Sequence, residues 1–154
     1  MITEKEAVIK SSGLPTLSGN SIEFRQLFQN LISNSLKFLN PNKKPIIIIE
    51  AKEPRSEELK KLPVYDSNKR YVSIHFIDNG IGFDENYAEK IFVIFQRLHG
   101  KDIYEGTGIG LAICKKIVEK YGGVIFATSN PGDGANFTVI LPLSGVAKKR
   151  ITKI

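Results

Sequence analysis

The sequence predicts an α+β domain: a two-layer sandwich in which a mixed, mostly antiparallel sheet is covered on one face by helices. Three observations predict it. Two long segments carry an apolar stripe at helical spacing, and five short ones are rich in β-branched and aromatic residues. The elements run strand, helix, two strands, short helix, helix, two strands, which is not the regular alternation of a doubly wound parallel sheet. The last two strands are separated by Pro131-Gly132-Asp133-Gly134, the composition of a hairpin turn.

The elements follow in order. Residues 7–10 read as a short strand, broken by Gly13-Leu14-Pro15. Asn20 reads as a helix cap, with Glu23 three positions on as its capping-box partner. The helix behind it carries Phe24, Leu27, Phe28, Leu31, Ile32, Leu36 and Leu39 on one stripe, and Asn40-Pro41 ends it. Residues 46–51 form the next strand. Residues 52–70, polar and mixed in charge, are expected to be a solvated excursion before the strand at 71–78. A loop over 78–83 and a short helix over 85–95 come next, followed by an irregular, mobile stretch over 96–105. The second strong helix spans 111–121 and stops at Gly122-Gly123. Strands at 124–129 and 136–141 complete the sheet.

Length and composition bound the function. A chain of 154 residues with 42% hydrophobic and 25% charged residues suits one globular domain, here residues 1–143. No apolar run approaches the roughly 20 residues that cross a bilayer, so direct membrane insertion is not expected. A single cysteine, Cys114, makes no intrachain disulfide and points to a reducing, cytoplasmic setting. Cys114 itself reads as a core residue of the second helix. The net charge of +6 owes four positive charges to the tail at 144–154, expected to be frayed or linker-like; without them +2 remains. With no aromatic-and-basic signature, nucleic acid is not an expected partner.

Three local patterns carry chemistry. Asn30, Asn34 and Lys37 stand at i, i+4 and i+7, on one stripe of the first helix opposite the apolar one. A carboxamide oxygen suits hard Mg²⁺, and an ammonium suits a phosphate; such a face is otherwise simply solvated. Asp78 ends a strand with Asn79-Gly80-Ile81-Gly82 behind it. A carboxylate there can accept from an amino group, although Asp-Asn-Gly also makes ordinary turns. Gly106-Thr107-Gly108-Ile109-Gly110 opens the second helix, where bare backbone N–H groups and the helix dipole attract phosphate. Its spacing fits neither the dinucleotide fingerprint nor the P-loop.

In this order the motifs resemble the ATP-binding catalytic domain of sensor histidine kinases, within the gyrase-, chaperone- and mismatch-repair-type ATPases. The resemblance covers about residues 5–143. Residues 30–38 look like the asparagine box, 78–83 like the first glycine box and 91–97 like the phenylalanine box. Residues 106–110 look like the second glycine box, and 132–134 like the last glycine turn.

The resemblance implies a Bergerat-type fold that binds ATP and Mg²⁺. Asn34 would bind the metal, with Asn30 next to metal and phosphates and Lys37 on phosphate. Asp78 would take the adenine amino group, with Gly80, Gly82 and Phe83 in the same box. Phe38 would lie near adenine and sugar where many relatives have Tyr. Arg97 and the lid over 96–105 would close on the phosphates. Gly106, Thr107, Gly108, Ile109, Gly110 and Leu111 would complete the cradle. Ala135 stands where relatives often carry Ser or Thr. Catalysis would rest on Asn34, Lys37 and Arg97 as positioning groups.

The family's phosphoaccepting histidine sits beside an acidic residue on a dimerising helix. Neither His75, inside a strand, nor His99, in the lid, has that setting. The dimerisation helices are therefore expected upstream of this chain, which alone would not phosphorylate itself. The onward partner would be the receiver domain of a response regulator. A related serine kinase of the anti-sigma type and a non-catalytic nucleotide-binding module are the alternative readings.

Overall fold

The computed structural model describes residues 6–93 and 109–143, and the backbone of 152–153. The predicted lid, with Arg97, His99, Gly106, Thr107 and Gly108, lies outside the described residues.

The main sheet has five strands: β1 (Val8–Ser12), β3 (Ile46–Lys52), β4 (Arg70–Asp78), β5 (Val124–Ser129) and β6 (Ala135–Leu143). Their order across the sheet is β1-β3-β4-β6-β5. Only β1 and β3 pair in parallel; the other three pairings are antiparallel. The expected mixed, mostly antiparallel sheet is thus borne out. A small second sheet pairs β2 (Thr16–Leu17) with β7 (Thr152–Lys153), so the tail expected to fray contributes backbone to the fold.

Two helices pack on one face of the main sheet: α1 (Ser21–Lys37) and, after the one-turn α2 (Ser56–Leu59), α3 (Gly110–Lys120). Strand alternation sends Val72, Ile74 and Phe76 of β4 and Phe137, Val139 and Leu141 of β6 toward them. Leu27 and Leu31 of α1 and Cys114 and Val118 of α3 meet that face with 0% exposure, as the apolar stripes require.

The helices run antiparallel. Glu23 in the first turn of α1 meets Lys120 at the end of α3. The Leu27 carbonyl accepts from Cys114 Sγ, and Asn30 reaches Gly110. At 1.5 Å per residue, the 17 residues of α1 outrun the 11 of α3. The last two turns of α1, with Asn34 and Lys37, therefore extend past the start of α3.

Three expectations need correction. Asn20 caps α1, its Oδ1 accepting from Ile22 and Glu23 N–H, but Glu23 does not close the capping box. The Asn20 N–H instead finds the Tyr121 hydroxyl at 3.0 Å, and the Glu23 carboxylate takes Lys120 and Tyr121. A tertiary cation and hydroxyl have outcompeted the local cap. The helix expected over 85–95 is two 3₁₀ turns, Glu85–Tyr87 and Lys90–Phe92. Asp84 caps the first of these, accepting from Asn86 N–H at 2.9 Å.

The excursion expected over 52–70 is not simply solvated either. Leu62 packs with Tyr71 and Ile140 on the sheet face away from the main helices. Glu58 is 3% exposed there. Its carboxylate accepts from Arg55 N–H at 2.9 Å and from Ser73 Oγ, and His75 Nε2 lies 3.7 Å away.

Candidate functional site

The motifs converge where β4 ends. Asp78 is its last residue, directly across from Ala135 at the start of β6. Asp78 Oδ1 accepts from Gly80 N–H at 2.9 Å and from Ala135 N–H at 3.2 Å. Asp78 Oδ2 accepts from the Ser35 hydroxyl of α1 at 2.9 Å. Burial pushes the Asp78 carboxyl above the ordinary aspartate range, and the three hydrogen bonds from Gly80, Ser35 and Ala135 oppose that shift. A carboxylate offers about four lone pairs. Among the described residues three are taken, and one acceptor direction remains, on Oδ2.

Backbone contacts join the same segments. Phe38, at the C-terminal cap of α1, accepts from Ile81 N–H at 3.0 Å, and the Ile81 carbonyl accepts from Gly132 N–H at 2.7 Å. The end of α1, the loop after β4 and the β5–β6 turn are therefore bonded in a chain. Asn79 fixes the start of β3, its Oδ1 accepting from Ile46 N–H and its Nδ2 donating to the Lys44 carbonyl.

The glycines of this loop answer to protein neighbours. A Cβ on Gly80 would stand 2.3 Å from the Phe38 carbonyl oxygen. Gly82, at φ +68°, would put one 2.4 Å from the Asn130 carbonyl oxygen. Glycine is needed at both because two loops cross at backbone distance. Phe83, expected at the nucleotide, lies in the core against Phe137, with ring centroids 6.3 Å apart. Its N–H donates to Ser129 Oγ, which in turn donates to the Gly134 carbonyl. Phe92 meets Phe137 edge-on at 6.1 Å, so Ile91 and Phe92 of the phenylalanine box are also built into the core, while Val93 is exposed.

Asn30 and Asn34 are half-buried and Lys37 is exposed. Asn30 Nδ2 donates to the Gly110 carbonyl at 3.4 Å, tying α1 to the first residue of α3. Among the described residues, the side chains of Asn34 and Lys37 make no hydrogen bond or ion pair. Their donor chemistry, a neutral carbonyl oxygen and an ammonium, fits Mg²⁺ and phosphate respectively. Ile109 caps α3, and a side chain on Gly110 would meet nothing within 4 Å among the described residues. Leu111 is partly buried against the core. The Cys114 thiol is pushed up to about 12 by burial, with a hydrogen bond from Asn30 opposing, which leaves an inert core group.

Residues 19–145 match the family described as histidine kinase-, DNA gyrase B-, and HSP90-like ATPase. The chain belongs to that ATPase family. Within it, the chain is 43% identical over 149 residues to cyanobacterial phytochrome A of Nostoc sp. (strain PCC 7120 / SAG 25.82 / UTEX 2576). That match covers 97% of this chain and 18% of the relative, so the chain spans less than a fifth of its length. Among solved structures, the mycobacterial sensor histidine kinase MprB superposes with TM-score 0.70 at 18% identity, covering 99% of this chain and 88% of that one. Full-length ShkA in complex with AMPPNP does so with TM-score 0.68 at 24% identity, covering 92% and 26%. The α+β sandwich of a histidine kinase-type ATPase domain, expected from the motifs, is borne out.

Sequence reasoning missed Ser35, Ser129 and Glu85. Ser35 was legible in principle: it follows Leu31 by four residues, so a hydroxyl interrupts the apolar stripe. Glu85, whose Oε1 accepts from Ser129 N–H at 2.8 Å, gave no signal, because that contact spans 44 residues.

Proposed function

We propose that this chain is the nucleotide-binding module of a two-component sensor histidine kinase, binding ATP with Mg²⁺. It would present the γ-phosphoryl group to a histidine on a helical dimerisation domain, from which a receiver-domain aspartate of a response regulator would take it. The observation that carries the reading is Asp78: a buried carboxylate tied to the asparagine box, to its own glycine box and to the residue after the last glycine turn, with one acceptor direction left for an exocyclic amino group. Asn34 and Lys37, on the turns of α1 that outrun α3, supply the metal-binding oxygen and the phosphate-binding cation. Asn30 stands beside them, and Phe38 lies where adenine and sugar would stack.

Phosphoryl transfer needs little covalent help from the protein; it is achieved by positioning and by neutralising charge. Bound Mg²⁺ would neutralise the phosphate oxygens. The chain's own contribution is to fix the base at Asp78 and the phosphates at Lys37 and at the N-terminus of α3, where helix N–H groups favour anions. Arg97, Gly106, Thr107, Gly108, Ile109 and Gly110 complete the phosphate site in this reading. Gly82 and Phe83 serve by holding the adenine loop. A reducing, cytoplasmic setting accords with the single buried thiol, and among the described residues no helix is long and apolar enough to cross a membrane. ShkA, of the same fold, was solved with AMPPNP.

The test is calorimetric titration with ATP and ADP, with and without Mg²⁺, and with GTP as control. Saturable, adenine-selective binding that Mg²⁺ strengthens is expected. Equal binding of GTP and ATP would sink the assignment of Asp78 to adenine.

A further inference from the structure

Ser35 is the one hydroxyl on the buried stripe of α1, and it is 1% exposed. Apolar residues fill the neighbouring stripe positions Leu31 and Leu36. A serine inside a helix ordinarily satisfies its hydroxyl on the carbonyl one turn back. Ser35 instead donates across the helix–sheet interface to Asp78 Oδ2. The other two donors to Asp78, from Gly80 and Ala135, both act on Oδ1. Ser35 is therefore the sole described partner of the oxygen that keeps a free acceptor direction.

We propose that Ser35 is a positioning residue for base recognition: its hydroxyl fixes the rotation of the Asp78 carboxylate so that Oδ2 presents its remaining lone pair to an exocyclic amino group. The inference rests on the nucleotide reading above. It adds that discrimination between 6-amino and 6-oxo purines depends on a side chain that itself touches no nucleotide.

The chemistry supports a role beyond packing. Without the hydroxyl, Oδ2 keeps no donor among the described residues and no full hydration, and the carboxylate form is disfavoured further. A carboxyl that takes up a proton on Oδ2 becomes a donor there and confronts the amino N–H donor with a second donor. Among the described residues, the influences on Asp78 are burial and three uncharged donors, and none of them is a neighbouring charge. A change at Ser35 is therefore not masked by a nearby ion pair.

The test compares wild type with Ser35→Ala, the size-matched Ser35→Cys and the hydroxyl-retaining Ser35→Thr. Two readouts are used: calorimetric affinities for ATP, GTP and inorganic triphosphate across pH, and ¹³C NMR titration of the Asp78 carboxyl in ligand-free protein. In Ser35→Ala and Ser35→Cys the ATP-over-GTP preference is expected to fall about tenfold, the scale of one charged hydrogen bond. Triphosphate affinity stays unchanged, ATP binding begins to fail at higher pH, and the Asp78 titration midpoint moves up. Ser35→Thr restores the wild-type midpoint and preference. An unchanged ATP-over-GTP ratio in Ser35→Ala, alongside a wild type that does prefer ATP, overturns this inference alone. A wild type with no preference overturns the nucleotide reading and this inference with it. Equal losses for ATP and triphosphate would make Ser35 a packing residue only.

Discussion

The Tyr121 hydroxyl donates to Glu23 Oε1 at 2.7 Å, joining the residue after α3 to the first turn of α1 across 98 positions of sequence. Lys120 Nζ lies 2.8 Å from the same oxygen, and the Tyr121 ring rests on Phe24 with centroids 4.7 Å apart. Tyr121→Phe keeps the ring and removes the hydroxyl. It should lower the thermal midpoint by about 4–8 °C, the effect of two lost hydrogen bonds, one donated to Glu23 and one accepted from the Asn20 N–H.

The same pin has a pH signature. The Lys120 and Tyr121 hydrogen bonds hold the Glu23 carboxyl below the ordinary glutamate range. A group whose pKa falls on folding stabilises above its unfolded pKa, and that stabilisation is lost as pH drops through the folded value. The gap in midpoint between wild type and Tyr121→Phe should therefore be full at neutral pH and narrow on acidification below the usual glutamate range, leaving the part due to the Asn20 N–H. A gap that widens there would contradict the assignment.

Two glycines with positive φ should respond differently to alanine. A Cβ on Gly132, at φ +85°, would meet nothing within 4 Å among the described residues, so Gly132→Ala should cost about 1 kcal/mol of backbone strain. Gly82 adds a backbone collision at 2.4 Å, so Gly82→Ala should cost about 3 kcal/mol and displace the adenine loop. Denaturant unfolding of both variants checks the order.

Asp78→Asn should separate stability from binding. The amide oxygen can still accept from Gly80 and Ala135, and the Ser35 hydroxyl can turn to accept from the amide nitrogen. The fold should keep or raise its midpoint at neutral pH, while ATP binding is lost and triphosphate binding is not. Because burial raises the Asp78 pKa, this group favours folding below its unfolded pKa and loses that contribution as pH rises through the folded value. The advantage of the asparagine variant should therefore shrink on acidification. An equal loss of ATP and triphosphate would count against the adenine role.

Asn34→Ala removes a side chain with no partner among the described residues. It should leave the stability within about 0.5 kcal/mol of wild type and abolish the Mg²⁺ dependence of ATP binding. Wild-type Mg²⁺-dependent titration in this variant would refute the metal assignment.

Glu58→Ala should cost about 1–3 kcal/mol by leaving the Arg55 N–H without its acceptor, while Ser73 Oγ keeps His75 Nε2 at 3.0 Å. Glu58→Gln keeps an amide oxygen for Arg55 and should cost less. Thermal unfolding distinguishes the two, and equal midpoints for both would mean that burial of the segment does not depend on this acceptor.

What the sequence disclosed follows the range of the forces involved. The stripe of Leu27 and Leu31, the Asn20 cap and the strand at Val124–Ser129 are set by neighbours a few residues away, and they read correctly. Glu23 did not, because its local partner lost to Tyr121 and Lys120 from the far end of the chain. Glu58 looked solvated because nothing near it in sequence shows that Ser73 will offer a hydroxyl under cover. At the site, Asp78, Asn30 and Asn34 were visible as residue types at a spacing. That Gly80 and Gly82 clear a path for protein backbone depends on a loop crossing no spacing reveals.

The antiparallel register of α1 and α3 also bears on how the molecule is made. Its bonds close chain loops of 80 to 101 residues. Closing such loops costs entropy before any contact compensates, and topologies dominated by distant pairings fold slowly. The register that carries Asn34 and Lys37 past the start of α3 is therefore reached only when both halves of the chain have met. No shorter piece holds it, so nucleotide competence should arise late in folding and all at once.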